Sequence, residues 1–236
     1  MLKPEENPML KCEHLTKKYL TTTAVDDLTI EIPRGRVYAM LGPNGSGKTT
    51  FMKMIAGLVK PTGGTLLFEG EPIGIESKSR VAYMPTEAYF FGYMSGEDVG
   101  AYYADFFADF DRAAYRAMLE RMQLPPKVKV SKLSSGMMAK LKIAVTLARD
   151  SALIMLDEPL NGIDVIARDQ VVDAIRERIT PARTFLLSSH LVDELEKIVD
   201  YAVFMKTGAV ALEGPSGELR EARKKSLVEL YKEIYA

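Results

Sequence analysis

The stretch Gly42-Pro43-Asn44-Gly45-Ser46-Gly47-Lys48-Thr49 constrains what this chain can fold into more than any other. It fits the pattern G-x-x-x-x-G-K-[ST], whose glycines let successive backbone N–H groups curl around an anion without Cβ clashes. The apolar run Val37-Tyr38-Ala39-Met40-Leu41 precedes it, and apolar residues recur at helical spacing from Gly47 to Leu58. A buried strand feeding the loop, and a helix whose positive end faces it, form the setting that phosphate binding requires. Asn44, Gly45, Ser46 and Gly47 make the cradle, with Thr50 in the first helical turn. Lys48 supplies a mobile charge for β- and γ-phosphates, and the Thr49 hydroxyl is suited to Mg2+. The implied ligand is a nucleoside triphosphate with Mg2+.

A second constellation is Leu153-Ile154-Met155-Leu156-Asp157-Glu158-Pro159. Four apolar residues followed by two acids place the carboxylates at the carboxyl end of a buried strand, where open α/β sheets bind ligands. Asp157 is suited to hold Mg2+ through its water shell, and Glu158 to polarise an attacking water.

Composition narrows the alternatives. The chain has 236 residues and 47% hydrophobic content, enough for one large α/β domain with a substantial core. Lys+Arg number 31 and Asp+Glu 32, so no global basic field favours nucleic acid. The lone Cys12 excludes an internal disulfide, and with only His14 and His190 no His/Cys metal cluster can be assembled. Residues 1–8 are charged and carry two prolines, unlike a signal peptide, and no apolar run approaches the roughly 18 residues that cross a bilayer. The expected location is a reducing cytoplasm, with any membrane attachment supplied by another chain.

Along the chain, Thr184-Phe185-Leu186-Leu187-Ser188 also reads as a fully buried strand. Leu28–Ile32, Thr65–Phe68 and Val210–Leu212 suit half-exposed antiparallel strands. The spacing from Ser135 to Arg149 predicts a helix. Of 20 aromatics, 11 fall between Tyr83 and Tyr115. This region, residues 87–150, reads as an inserted helical subdomain. Its aromatics either fill a small core or form a docking surface, the latter favoured for Tyr89 to Tyr93. Residues 216–236, with Leu227, Leu230, Tyr231 and Ile234 at helical spacing, predict one C-terminal amphipathic helix.

Leu133-Ser134-Ser135-Gly136-Met137, lying between the phosphate loop and Asp157-Glu158, resembles the signature motif of ABC ATPases, usually Leu-Ser-Gly-Gly-Gln. The resemblance runs from about Leu10 to Glu213 with every motif in family order. It implies the ABC ATPase fold: an α/β P-loop NTPase core with a mixed, largely parallel sheet, an antiparallel β subdomain and an inserted α-helical subdomain. Tyr19 sits where the family stacks an aromatic on adenine. Asn161-Gly162-Ile163-Asp164 matches the D-loop, placing Asp164 near nucleotide, and His190 matches the switch histidine that contacts the γ-phosphate. Two such domains, identical or different, are expected to face each other head to tail, with Ser134, Ser135 and Gly136 of one reaching ATP held by the other.

Three positions depart from the pattern. Thr86 stands where the family has a metal-binding glutamine; either Thr86 through a water or a rotated Glu87 is left to take that role. Ser135 replaces a glycine and Met137 a glutamine. The function implied is a transporter's ATPase subunit on the inner face of the membrane, its Tyr89–Tyr93 loop receiving a separate permease, as in small bacterial export systems. Two other readings stay open: a soluble ABC ATPase of translation or DNA repair, and a module that uses ATP only to dimerise.

Overall fold

The computed structural model describes residues 7–236; residues 1–6, part of the stretch read as unlike a signal peptide, lie outside the described residues. β1 (Leu10–Tyr19) and β2 (Thr22–Ile32) form a long hairpin, and β3 (Val37–Leu41) runs directly into the phosphate loop. α1 (Lys48–Ile55) leaves the loop, followed by β4 (Gly63–Phe68), β5 (Glu71–Pro72), α2 (Ile75–Arg80) and β6 (Val81–Met84). Three helices come next: α3 (Gly96–Phe106), α4 (Arg112–Arg121) and α5 (Ser135–Leu147). The chain then returns through β7 (Leu153–Asp157), α6 (Val165–Arg178), β8 (Thr184–Ser189), α7 (Val192–Leu195), β9 (Tyr201–Lys206) and β10 (Ala209–Pro215). It closes with α8 (Ser216–Arg223) and α9 (Leu227–Tyr235).

Two sheets result. One is antiparallel, in the order β2-β1-β4-β5; the other runs β10-β9-β3-β8-β7-β6. In the larger sheet β9, β3, β8, β7 and β6 are parallel and β10 is an antiparallel edge. Every residue of β3, β7 and β8 is buried, as their unbroken apolar runs require of strands covered on both faces.

Strand alternation divides the interior in two. Val37, Ala39 and Leu41 of β3 join Ile154, Leu156, Phe185 and Leu187 in a cluster that takes in α5 and α6. Tyr38 and Met40 face the other way, with Met155 and Leu186, against Phe51, Met52 and Ile55 of α1 and the antiparallel sheet. α1 is thereby held between its own strand and the hairpin.

The segment between β6 and β7 is helical, and a buried arginine ties it to the sheet. Arg149 Nε donates to Asp109 Oδ1 at 2.9 Å, Nη1 to the Val81 carbonyl at 3.0 Å and Nη2 to the Ser79 carbonyl at 2.6 Å. Its guanidinium carbon lies 3.9 Å from the Phe107 ring centroid. One charge thus satisfies groups from the α3–α4 connection and from the chain entering β6, and its desolvation is met by a carboxylate and two carbonyls.

The C-terminal stretch corrects the expectation of one helix. Lys224 adopts φ +51° and ends α8, while Ser226 and Glu229 form a capping box that starts α9 afresh. Leu227 and Leu230 of α9 are buried. Among the described residues, no helix is long and apolar enough to cross a membrane.

Candidate active site

Register brings the motifs together. β3 pairs with β8 so that Leu41 faces Ser189, and β7 pairs with β8 so that Asp157 faces Ser188. The phosphate loop, the two acids and His190 therefore emerge side by side at the carboxyl ends of three adjacent strands, as expected for a ligand site in a parallel sheet.

In the loop, Gly45 and Gly47 hold φ +81° and +105°, values open to glycine at little cost. A Cβ on Gly47 would also stand 2.4 Å from the Ala24 carbonyl of β2, so the hairpin is seated on the loop. α1 starts without a side-chain cap, leaving its first N–H groups to face the loop. Lys48 is 5% exposed; its ammonium donates to the carbonyls of Gly42 at 2.7 Å and Pro43 at 3.1 Å. Burial lowers its pKa, opposed by the charges of Glu158 and Asp157.

Asp157 is fully buried and collects three hydroxyls. Thr49 Oγ1 and Ser188 Oγ donate to Oδ1 at 3.1 and 2.5 Å, and the Tyr83 hydroxyl lies 3.4 Å from Oδ2. Burial is the dominant influence and raises the Asp157 pKa, against those hydrogen bonds. Its folded pKa thus lies above its unfolded value of about 3.9. The contribution of its protonated form to stability is present in acid and is lost as pH rises through the folded pKa, so ionised Asp157 weighs against folding at neutral pH. Asp157→Asn, which keeps an acceptor for the hydroxyls, is expected to melt as high as the parent or higher at pH 8, the gap closing near pH 4. Calorimetry of the nucleotide-free chain checks this; a variant melting well below the parent at pH 8 would show that the hydroxyl contacts outweigh burial.

Glu158 has φ +51°, a conformation that costs on the order of 1–3 kcal/mol for a non-glycine residue. Its amide is pinned there by the Ser188 carbonyl at 3.2 Å and the Ser188 hydroxyl at 3.0 Å. The twist carries the side chain back over the loop. Oε2 accepts from His190 Nδ1 at 2.8 Å. Lys48 Nζ stands 3.6 Å from Oε1, within ion-pair reach but beyond a hydrogen bond, and that buried oxygen has no hydrogen-bond partner among the described residues. The Ser46 hydroxyl is likewise buried and unpartnered.

Lys48, Thr49, Asp157, Glu158 and His190 are thus assembled by direct contact. Asn44, Gly45, Ser46, Gly47 and Thr50 line the same loop and first turn. Tyr19 is exposed at the hairpin end, with the Lys17 ammonium 4.9 Å from its ring centroid. Ser134, Ser135 and Gly136 lie elsewhere. Ser134 caps α5 by accepting from Met137 N at 3.2 Å, and a Cβ on Gly136 would lie 3.3 Å from the Gly162 carbonyl. The Asp164 carboxylate accepts from Ala167 N at 3.0 Å, a cap on α6.

Thr86 is not brought to the metal-side carboxylate. It is exposed and its hydroxyl donates to Glu87 Oε2 at 3.3 Å, while Glu87 is held by Lys53 at 2.6 Å. The backbone at Thr86 is held by Lys142, a residue that no motif marks. Buried in α5, its ammonium donates to the carbonyls of Pro85 at 2.6 Å and Thr86 at 2.8 Å, while the Thr86 and Glu87 side chains are exposed. Burial lowers the Lys142 pKa, opposed by Glu87 and Asp157. A lysine inside the apolar run Leu141–Leu147 was the available signal. Ser188 and Tyr83 were also missed.

A phosphate loop on a parallel sheet, with paired acids and a histidine at the strand ends, defines a P-loop nucleotide-binding cassette. Residues 25–161 match the family model described as ABC transporter. The lantibiotic transport ATP-binding protein SrtF of Streptococcus pyogenes is 31% identical over 207 residues, 87% of this chain and 90% of that protein. The Nod factor export ATP-binding protein I of Cupriavidus pinatubonensis is 30% identical, over 93% of this chain and 70% of its own length. A solved structure of an ATP binding subunit of an ABC transporter superposes with a TM-score of 0.86 at 26% identity, covering 97% of this chain and all of that one. The chain belongs to the ABC transporter family, as an ATP-binding and ATP-hydrolysing subunit. Similarity to transport proteins favours this over the soluble translation or repair reading.

Proposed function

We propose that the chain drives a separate membrane permease through ATP-dependent pairing of two cassettes.

 The observation that carries the reading is Glu158, fixed in a left-handed turn with one oxygen on His190 and the other buried, unpartnered and facing the loop. An acceptor so placed is suited to take a proton from water attacking the γ-phosphorus, as the bond to the bridging oxygen breaks and ADP leaves. In this reading Lys48 holds the β- and γ-phosphates, Asn44 to Thr50 cradle them, Tyr19 stacks on adenine, and His190 senses the γ-phosphate. Thr49 and Asp157 are hard oxygen donors in mutual contact, which fits a magnesium ion that keeps mostly water and phosphate ligands. Such an ion would neutralise charge on the phosphates.

Ser134, Ser135 and Gly136 have no contact with their own phosphate loop among those described, and Ser134 and Ser135 are exposed. That supports their acting on ATP held by a second cassette, identical or not. Triphosphate then bridges two surfaces, and hydrolysis removes the bridge.

The aromatic loop supplies the permease contact. Phe90 packs against the core, whereas Phe91 and Tyr93 are 57% and 71% exposed and stack at 5.5 Å. An exposed stacked pair suits a short helix from a membrane partner on the inner face of the membrane. The names of the relatives, one for lantibiotic transport and one for Nod factor export, support an export system. Replacing Phe91 and Tyr93 with serine is expected to leave the melting temperature within about 2 °C of the parent, as for surface substitutions. Sedimentation with permease-containing membranes should be lost. Undiminished sedimentation would place the docking surface elsewhere.

A further inference from the structure

The C-terminal helix reaches the base of the phosphate loop, a contact that no motif announces. The Tyr235 hydroxyl lies 3.0 Å from the Leu41 carbonyl and 2.8 Å from the Met205 carbonyl, so its proton is shared between the ends of two neighbouring strands. Leu41 immediately precedes Gly42. The Met205 carbonyl crowds Gly42 so closely that a Cβ there would stand 2.6 Å away. Gly42 in turn offers its own carbonyl to Lys48.

Helix α9 is held at both of its ends. Lys206, at the end of β9, donates to the Ile234 carbonyl at 2.8 Å. At the other end, Leu227 N donates to Glu196 Oε1 at 3.1 Å, just beyond α7, the helix that follows His190. Between them Tyr231 packs against the core, and burial and the nearby Glu158 charge both raise its pKa. The helix therefore spans from the segment after His190 to the strand ends beneath the loop.

We infer that α9 braces the phosphate loop and that Tyr235 is a positioning residue, its hydroxyl fixing the Leu41 and Met205 carbonyls and through them Gly42 and the Lys48 ammonium. The Tyr235 hydroxyl bonds to the strand ends and acts through the loop. The inference rests on Lys48 being the phosphate ligand.

The test uses the full chain and a fluorescent ATP analogue. Tyr235→Phe keeps the ring and removes the shared hydrogen bond. It is expected to weaken analogue binding by about five- to tenfold, the worth of one hydrogen bond, and to speed amide exchange selectively at residues 42–49. Lys206→Met, which releases the helix end without touching Tyr235, should shift both readings in the same direction by less. A lower melting temperature with binding within twofold of the parent and unchanged exchange at 42–49, in either variant, would overturn the proposal and leave Tyr235 a packing residue. Lys48→Ala run alongside separates the premises: if that variant binds the analogue normally, Lys48 is not the phosphate ligand, whatever Tyr235 does.

Discussion

Glu158→Gln is expected to bind ATP as the parent does and to lose at least about 100-fold in turnover, the usual contribution of a general base. The amide is isosteric, and its oxygen can still accept from His190 Nδ1 in place of the carboxylate. The contacts that pin residue 158 in its left-handed turn come from Ser188 to the backbone amide, so they survive the substitution. What is lost is an acceptor basic enough to take a proton. With hydrolysis stalled and the triphosphate bridge intact, the variant should accumulate as an ATP-dependent pair, visible by size-exclusion chromatography with ATP and magnesium. Steady-state phosphate release measures the first effect. Turnover at the parental rate would require a different base.

Lys48→Ala should abolish useful nucleotide binding, with affinity falling at least about 30-fold, since truncating one partner of a buried charge contact costs 2 kcal/mol or more. The ammonium is already desolvated, its pKa lowered by burial, and it stands within the loop on the Gly42 and Pro43 carbonyls. A phosphate arriving there meets a charge that needs no further dehydration. Lys48→Met retains the aliphatic stem and should lose as much, which separates charge from packing. Titration calorimetry with ATP reads both variants; an affinity within threefold of the parent would mean that phosphate is held by the backbone alone.

Much of this site was legible in the sequence because its parts are local. A glycine pattern between a strand and a helix, and two acids after four apolar residues, each state a chemistry within a few positions. The fully buried strands were equally plain, because β3, β7 and β8 lack any polar alternate that could face water. What could not be read depends on register. Ser188 reaches Asp157 across 31 positions and Tyr83 across 74, through strand pairing that local pattern does not encode. The place of Thr86 in a motif points to the metal, whereas its backbone is held by Lys142, from a helix 56 positions on, a contact the motif does not encode. The break between α8 and α9 escaped notice for a different reason. Helical periodicity continues in spirit across a tight turn, and only the Ser226–Glu229 box betrays a new start. In the aromatic loop, composition alone could not assign Phe90 to the interior and Phe91 to the surface.

The division of the interior by alternate residues of β3 has a consequence for how such a motor diversifies. Tyr38 and Met40 belong to the compartment behind the phosphate loop, while Val37, Ala39 and Leu41 belong to the one shared with the helices between β6 and β7. Remodelling on the helical flank therefore finds its new neighbours on that flank, and Phe51 and Met52 keep theirs. Packing among those helices can change in this way while α1, which leaves the phosphate loop, keeps its own seat.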